Sequence, residues 1–524
     1  MRSNLVNAVA KHRAIVTRAA IVIVLSASVL ISANIVLTGP LSHNEQMYLS
    51  AGRLLQGASL YADFAYLQAP YMAYVCHWTS ELTAGSYTLL VARLFKVFVV
   101  WLLIVVVYGM SAKLSGNRMF AIACSLLLAN NDVFRHGIPY VTNLDMATLL
   151  TLLAFFVHLV FESHRRYLLA NILAGIFVGL AIGTKLTFAL VPLCFLIPII
   201  GQYGVSKRAV YLVCCFLGGL AVAFAPAVYL SLAAGLDVAY FNNVGYHRAN
   251  ALWREATGFG DAMSFPGKLD FAKKQLHAFP TAVLWLACLF VTFFRAREKR
   301  GFDFKRKAVV LSVALLVAVS IAMFMIPTPT WKVYFSTFVV SLILLLSVAY
   351  SELKPLAQRT LHTVVWVSVL ILLIRNGPDD CQHSFGAFDP DRWVGVRVHK
   401  SAVALRAVIP EDQRAHPVAT LTPLFALEAN LPIYRELATG PFAYRVGDFL
   451  SSEERLRYRT TSARSIAALL DRSPPSAIVV GFEGELDRAL IDYAEERGYD
   501  KREGVIEGAA VYVRPDDRGD TDAK

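Results

Sequence analysis

The chain has 524 residues, 56% of them hydrophobic and only 17% charged. Soluble domains carry about a quarter charged residues, so the composition excludes a wholly soluble protein and points to a polytopic membrane protein with some soluble mass. The formal charge of +12 does not indicate nucleic acid, because most basic residues stand in short clusters between apolar segments, where they set topology. The seven cysteines show no metal or redox spacing, and nothing in the pattern supports a bridge between Cys76 and Cys381, the two outside apolar segments.

In chain order, Arg2, Lys11, Arg13 and Arg18 precede a first apolar run at 19–37. The run is longer than a signal-peptide core and has no clear small-residue cleavage site, so a retained anchor with a cytoplasmic N-terminus is expected. The stretch 39–78, GPLSHNEQMYLSAGRLLQGASLYADFAYLQAPYMAYVCHW, then lies on the opposite side. It is more polar and aromatic than a turn requires, and we read it as the main wall of an active site at a membrane surface. Further spans are expected at 89–110, 119–130, 146–161, 168–183, 186–200, 209–230, 280–294, 308–326, 333–350 and 361–374. Counted alternately, the basic clusters at Lys113 and Arg118, Arg165 and Arg166, Lys207 and Arg208, and between Arg295 and Lys307 all share the side of the N-terminus. That parity supports about eleven helices, within a range of roughly 10 to 13.

The expected organisation is a bundle over 1–374, with outer loops 38–88, 131–145 and 231–279, followed by an outer α/β domain over 375–524. In the tail, HPVATL, SAIVVGF and GAAVYVRP read as strands, EERLRYRTTSARSIAALLDR and GELDRALIDYAEERG as helices. About 150 residues suffice for an independent core. ALEANLPIYRELATGPFAYR reads as an ordinary loop packing that domain; the alternative is that it faces the bundle and helps bind an acceptor.

Two acidic positions stand out. Ser42-His43-Asn44-Glu45 fits a capping box, and Thr142-Asn143-Leu144-Asp145 repeats the form at a second outer helix start. One such acid is ordinarily a cap; two on the same side of a membrane suit a general base, a partner for a cation, or a metal ligand. The sequence leaves a divalent metal open. Among the outer cations, Arg53, Arg135 and Lys185 are assigned to an anionic partner, Lys185 being the sharpest because GLAIGTKLTFALVPL sets it in a turn between apolar helices. Snorkelling to the interface is the plain alternative for it. His43, His77, His136 and His247 show no zinc spacing and read as surface or hydrogen-bonded residues. The aromatic residues of the outer loops read mostly as interfacial anchors, and the loop 231–279 has the length of a lid.

NEQMYLSAGRLLQG followed by DFAYLQAPYMAY resembles the first outer loop of the GT-C membrane glycosyltransferases, the superfamily of protein O-mannosyltransferases and of transferases that put aminoarabinose or galacturonic acid on lipopolysaccharide. TNLDM resembles the second acidic site of that family, and GLAIGTKLTFALVPLCFLIP its Thr-Lys segment followed by Pro. The resemblance covers about residues 19–200 and the plan of bundle plus outer domain. It implies transfer of a hexosyl, pentosyl or uronosyl group from a polyprenyl-phosphate donor to a lipid, glycan or protein acceptor, at the outer face of a bacterial inner membrane. On this implication Glu45 is the base, with Asp145 and Asn44 in the catalytic set. Lys185, Arg53 and Arg135 meet the donor phosphate, and Asp63, Tyr66 and Gln68 meet substrate. The family pair is commonly Asp-Glu, and this chain departs from it with Asn44-Glu45. The rival readings are a flippase of lipid-linked saccharides, against which the lack of paired halves counts, and a non-catalytic glycan-binding subunit, which Asn44 favours.

Overall fold

Apolar segments of about twenty residues become helices in a membrane because only a helix satisfies its own backbone donors and acceptors there. The computed structural model describes residues 2–163, 166–298 and 304–515. Arg165, Lys299 and Arg300 of the expected basic loops lie outside the described residues. The chain opens with α1 (Arg2–Thr38), α2 (His43–Leu54), α3 (Tyr71–Glu81), α4 (Thr88–Ser115), α5 (Arg118–Ala129) and α6 (Asp132–Gly137). It continues through α7 (Asn143–Ser163), α8 (Tyr167–Thr184), α9 (Leu193–Tyr203), α10 (Lys207–Ala234), α11 (Leu236–Tyr240) and α12 (Tyr246–Ala256). Then follow α13 (Gly260–Met263), α14 (Phe265–His277), α15 (Phe279–Glu298), α16 (Phe304–Met325), α17 (Ser336–Tyr350) and α18 (Pro355–His383).

Among the described residues nine helical segments are long and apolar enough to cross a membrane. The pair α14–α15, bent by 84°, makes a tenth, and the shorter apolar α5 stands where another span was expected. The protein is a polytopic helical membrane protein. The segment containing α17 is the most enclosed, 78% buried, as its all-round apolar sequence demands, whereas α10 is peripheral at 28%. Helices α8 and α10 meet backbone to backbone through small residues. A Cβ added at Gly175 would lie 2.0 Å from the Phe216 carbonyl oxygen, and one at Gly219 2.2 Å from that of Ile172. The last membrane helix runs on to His383, past the expected limit at residue 374.

Beyond it, β1 (Val418–Thr420), β2 (Ala477–Val480), β3 (Asp500–Arg502) and β4 (Ala510–Val513) form one sheet in the order β1-β2-β4-β3. The β1–β2 pair is parallel with Val418 opposite Ala477; the other two pairs are antiparallel. Strand alternation assigns the two faces. Ile478 and Val480 pack with Leu470, Leu490 and Tyr493 of the domain's own helices. Ala477 and Val479 join a core with Met47, Tyr48, Phe64 and Tyr66 of the loop that follows α1. That core also holds Ala402, Leu405 and Leu424, so the second face of the sheet belongs to a core that runs through the tail's helices to that loop. The single helix expected over EERLRYRTTSARSIAALLDR is two, Ser452–Arg457 and Ile466–Arg472, separated where Arg459 takes a φ of 52°. Strand β3 was not expected, because Asp-Lys-Arg is exposed and carries no apolar alternation.

Candidate active site

Where the loop that follows α1, the turn before α7, the α8–α9 turn, α12 and the C-terminal domain meet, they enclose a cavity of about 480 Å³. The loop after α1 contributes His43, Asn44, Tyr48 and Gln68 to it, the turn contributes Tyr140, Thr142 and Asn143, and Lys185 enters from between α8 and α9. Tyr246, His247, Asn250 and Arg254 come from α12, Trp331 and Tyr334 from the segment before α17, and Phe442 and Arg445 from the helix Pro441–Val446. Among the described residues the lining contains no aspartate or glutamate.

Three cations line this cavity, and among the described residues none of them has a carboxylate partner. Lys185 is buried, donates a 3.5 Å hydrogen bond to Asn143 Oδ1 and sits 5.2 Å from the centre of the Tyr334 ring. Burial pushes its ammonium down to about 8, because a desolvated ammonium favours the neutral form. Arg445 donates through Nη2 to the Tyr246 hydroxyl at 3.0 Å and lies over Trp253 and Phe442. Arg254 lies over Trp331 at 5.2 Å; burial and then the charge of Arg445 hold its guanidinium below the usual range. Burial, and then the charge of Lys185, pushes His247 down to about 4, so that ring is neutral near pH 7. Mutually repelling cations without counter-charges, held among aromatic rings, make a site for anionic oxygen atoms.

The two acids of the sequence pattern stand behind this wall. Glu45, at the third position of α2, is fully buried, and its carboxylate accepts from the Ser42 amide at 3.1 Å, as its capping role requires. It also accepts from the Val141 amide at 3.0 Å and from Arg93 Nε and Nη2 at 3.0 and 2.8 Å. Arg93 completes its set with the carbonyls of Val36, Gly39 and Pro40, each at 2.7 Å. This clamp joins the end of α1, the start of α2, the second turn of α4 and the approach to α7. Asp145 is likewise buried and paired, with Lys96 and with the Thr142 hydroxyl at 2.8 Å. Neither carboxylate lines the cavity.

Of the other expected site residues, Asn44, Gln68 and Lys185 are brought together in the lining. Gln68 Oε1 accepts from Asn143 at 3.0 Å. Tyr66 is buried behind the wall, its amide donating to Asn242 Oδ1 at 2.8 Å. Asp63 accepts from the Ser59 amide at 2.7 Å and faces Arg435. Arg53 donates to Asn430 Oδ1 at 2.7 Å at the junction with the C-terminal domain, and Arg135 is paired with Asp380 at 2.9 Å. Sequence reasoning missed Arg93 and Lys96. Their signal was available: two cations three residues apart on one face of an apolar span require buried partners. It also treated GPFAYR as packing, whereas Phe442 and Arg445 within it reach the cavity.

Among the described residues no group of three or more His, Cys, Asp or Glu side chains comes together to hold a metal ion. With Glu45 and Asp145 taken up by Arg93 and Lys96, the residues present do not fit a resident metal.

No protein-family model and no curated protein matches the sequence. Among solved structures the chain is similar to ArnT from Cupriavidus metallidurans bound to undecaprenyl phosphate, with a TM-score of 0.59 at 15% identity, covering 97% of this chain and 100% of that one. It is also similar to the Archaeoglobus fulgidus oligosaccharyltransferase in the apo form, with a TM-score of 0.50 at 12% identity over 92% of this chain and 72% of that one. A complex of the latter protein with Zn and sulfate gives a TM-score of 0.51 at 14% identity, over 90% and 69% of the two chains. Both neighbours are GT-C glycosyltransferases, and the likeness, one of fold at these identities, establishes that this chain has the GT-C fold.

Proposed function

We propose that this protein is a glycosyltransferase that moves a sugar from a polyprenyl-phosphate donor to a hydroxyl of a lipid, glycan or protein acceptor at the outer face of a bacterial inner membrane. The observation that carries the reading is the cavity wall on which, among the described residues, Lys185, Arg254 and Arg445 stand without carboxylate partners beside the amides of Asn44, Gln68, Asn143 and Asn250. A similar fold bound to undecaprenyl phosphate in ArnT supports it.

The reaction is a displacement at the anomeric carbon. The acceptor oxygen forms a bond to that carbon, the bond from carbon to phosphate oxygen breaks, and its electron pair leaves on the polyprenyl phosphate. Charge therefore grows on the phosphate as the bond breaks, and fixed cations around it stabilise the transition state more than the ground state. Lys185 is the first of these, with Arg254 and Arg445 beside it. The amides suit sugar hydroxyls, and the aromatic rings suit a sugar face or the first isoprene units. Glu45 and Asp145 act as positioning residues, fixing the starts of α2 and α7 from which Asn44 and Asn143 reach the cavity.

The test is transfer of labelled sugar by the purified protein in nanodiscs, from undecaprenyl-phosphate-linked glucose, aminoarabinose or galacturonic acid to a lipid extract. Lys185→Ala should lower the rate by about 10²–10³-fold, the loss usual for one electrostatic stabiliser. Transfer at the wild-type rate by this variant sinks the assignment of Lys185.

A further inference from the structure

Building on the transferase reading, we propose that His43, oriented by Glu483 of the C-terminal domain, is the base that takes the proton of the acceptor hydroxyl. Among the described residues nothing acidic lines the cavity, Glu45 and Asp145 are consumed by Arg93 and Lys96, and the position beside Glu45 is the amide Asn44. Of the ionisable groups that line the cavity, Lys185, Arg254 and Arg445 are cations, and the four tyrosines are protonated near neutral pH. That leaves three histidines. His247 is buried next to Lys185 and His136 is held down by burial and by Lys332, which makes both weak bases. His43 alone of the three has an acid partner. Its Nε2 is 2.8 Å from Glu483 Oε1, and the imidazole is half-exposed while the Glu483 side chain is 7% exposed.

The C-terminal domain holds that acid in place. At the end of β2 the chain turns through Gly481, at a φ of 119° that favours glycine. Buried Asp487 then accepts from the amides of Gly481 and Glu483 at 2.8 and 2.9 Å. Phe482, between them, stacks on Phe425 at 5.4 Å with the rings 8° apart. Nε2 is the ring nitrogen that faces the Glu483 carboxylate, which favours the tautomer with its proton there and leaves the lone pair on Nδ1. Nδ1 takes the proton as the acceptor oxygen bonds to the anomeric carbon and the phosphate leaves. Glu483 stabilises the imidazolium that results, so it is a positioning residue for His43. Glu483 faces His43 from outside the cavity lining, and the charged or titratable groups that share the lining with His43 include Arg445, Lys185, His136, and His247 and Arg254 from α12.

The experiment measures transfer from undecaprenyl-phosphate-linked sugar by the full chain in nanodiscs, with undecaprenyl phosphate binding followed by thermal shift. His43→Ala should lose about 10²–10⁴-fold in kcat, the range of a general base, and keep the donor KM within several-fold. Added imidazole should restore part of the rate. Glu483→Gln should lower kcat by roughly tenfold with the donor KM unchanged, and Glu483→Asp should recover part of it. A His43→Ala enzyme that binds undecaprenyl phosphate and transfers at the wild-type rate overturns the proposal. So does a loss that imidazole does not restore together with a kcat unchanged by Glu483→Gln, since an ion pair that only joins two parts of the fold gives that pattern. If the wild type transfers no sugar from any donor, the transferase reading fails and His43 falls with it.

Discussion

At the residue scale, burial decides what each charge is able to do. Arg93 has all five donor positions satisfied and no exposed surface, so its removal leaves Glu45 buried and uncompensated. Arg93→Met should therefore cost about 3–5 kcal/mol, as for other broken buried pairs. Thermal unfolding in detergent checks this, and adding Glu45→Gln should cost less than the sum of the two single changes. Lys185 behaves oppositely, since it is buried without a counter-charge. Its ammonium titrates near 8, so the charged form dominates below that pH and the neutral amine above it. Undecaprenyl phosphate should bind several-fold more weakly as pH rises through about 8, with Arg254 and Arg445 retaining the remainder. A pH-independent affinity across that range would remove Lys185 from the phosphate site.

At the element scale, α2 carries the site and α3 sets where it lies. The two helices approach so closely at Gly52 that an added Cβ would fall 2.7 Å from the backbone of Cys76 and His77. Gly57 has open space around its Cβ position. Gly52→Ala should destabilise by about 1–3 kcal/mol, the usual cost of overpacking, and displace His43 and Asn44 enough to lower transfer. Gly57→Ala should change neither the melting temperature nor the rate. The same logic explains why the spans were legible in the sequence. Each apolar run must become a helix in lipid, so 19–37 and 333–350 declared themselves by length alone. The tail helices were less legible, because the break at Arg459 comes from a local left-handed turn that leaves no mark on the apolar pattern.

At the scale of the whole molecule, the cavity exists only because three parts of the chain meet. Lys185 comes from the turn between α8 and α9, Asn44 from the loop that follows α1, and Arg445 lies 401 residues after Asn44 in the C-terminal domain. The domain is tied to the loop by Arg53 with Asn430, and to the start of α4 by Glu428, which accepts from the Thr88 amide at 2.9 Å. Arg445→Ala should weaken donor binding and, because it also removes the hydrogen bond to Tyr246, lower the melting temperature through the loss of roughly 1 kcal/mol for one such bond, while insertion stays normal. On the charge parity of the loops, a cysteine at exposed Glu485 should react with a membrane-impermeant maleimide in spheroplasts, and one at exposed Arg118 should not. Equal labelling of both would overturn the outward placement of the C-terminal domain.

The sequence by itself determined the membrane character, the order of the spans, the α/β nature of the tail and the special status of 39–78. These follow from hydropathy and periodicity, which act over adjacent residues and need no knowledge of neighbours in space. Capping of α2 by Glu45 was legible for the same reason. Only the tertiary structure decided which charges are spent and which are free. Glu45 meets Arg93 forty-eight positions away, and Asp145 meets Lys96 at forty-nine, and such pairings depend on how helices pack. Those long-range pairs keep both acids out of the cavity, where among the described residues Lys185, Arg254 and Arg445 have no carboxylate partner, and it is there that the proposed anionic substrate would gain its electrostatic stabilisation.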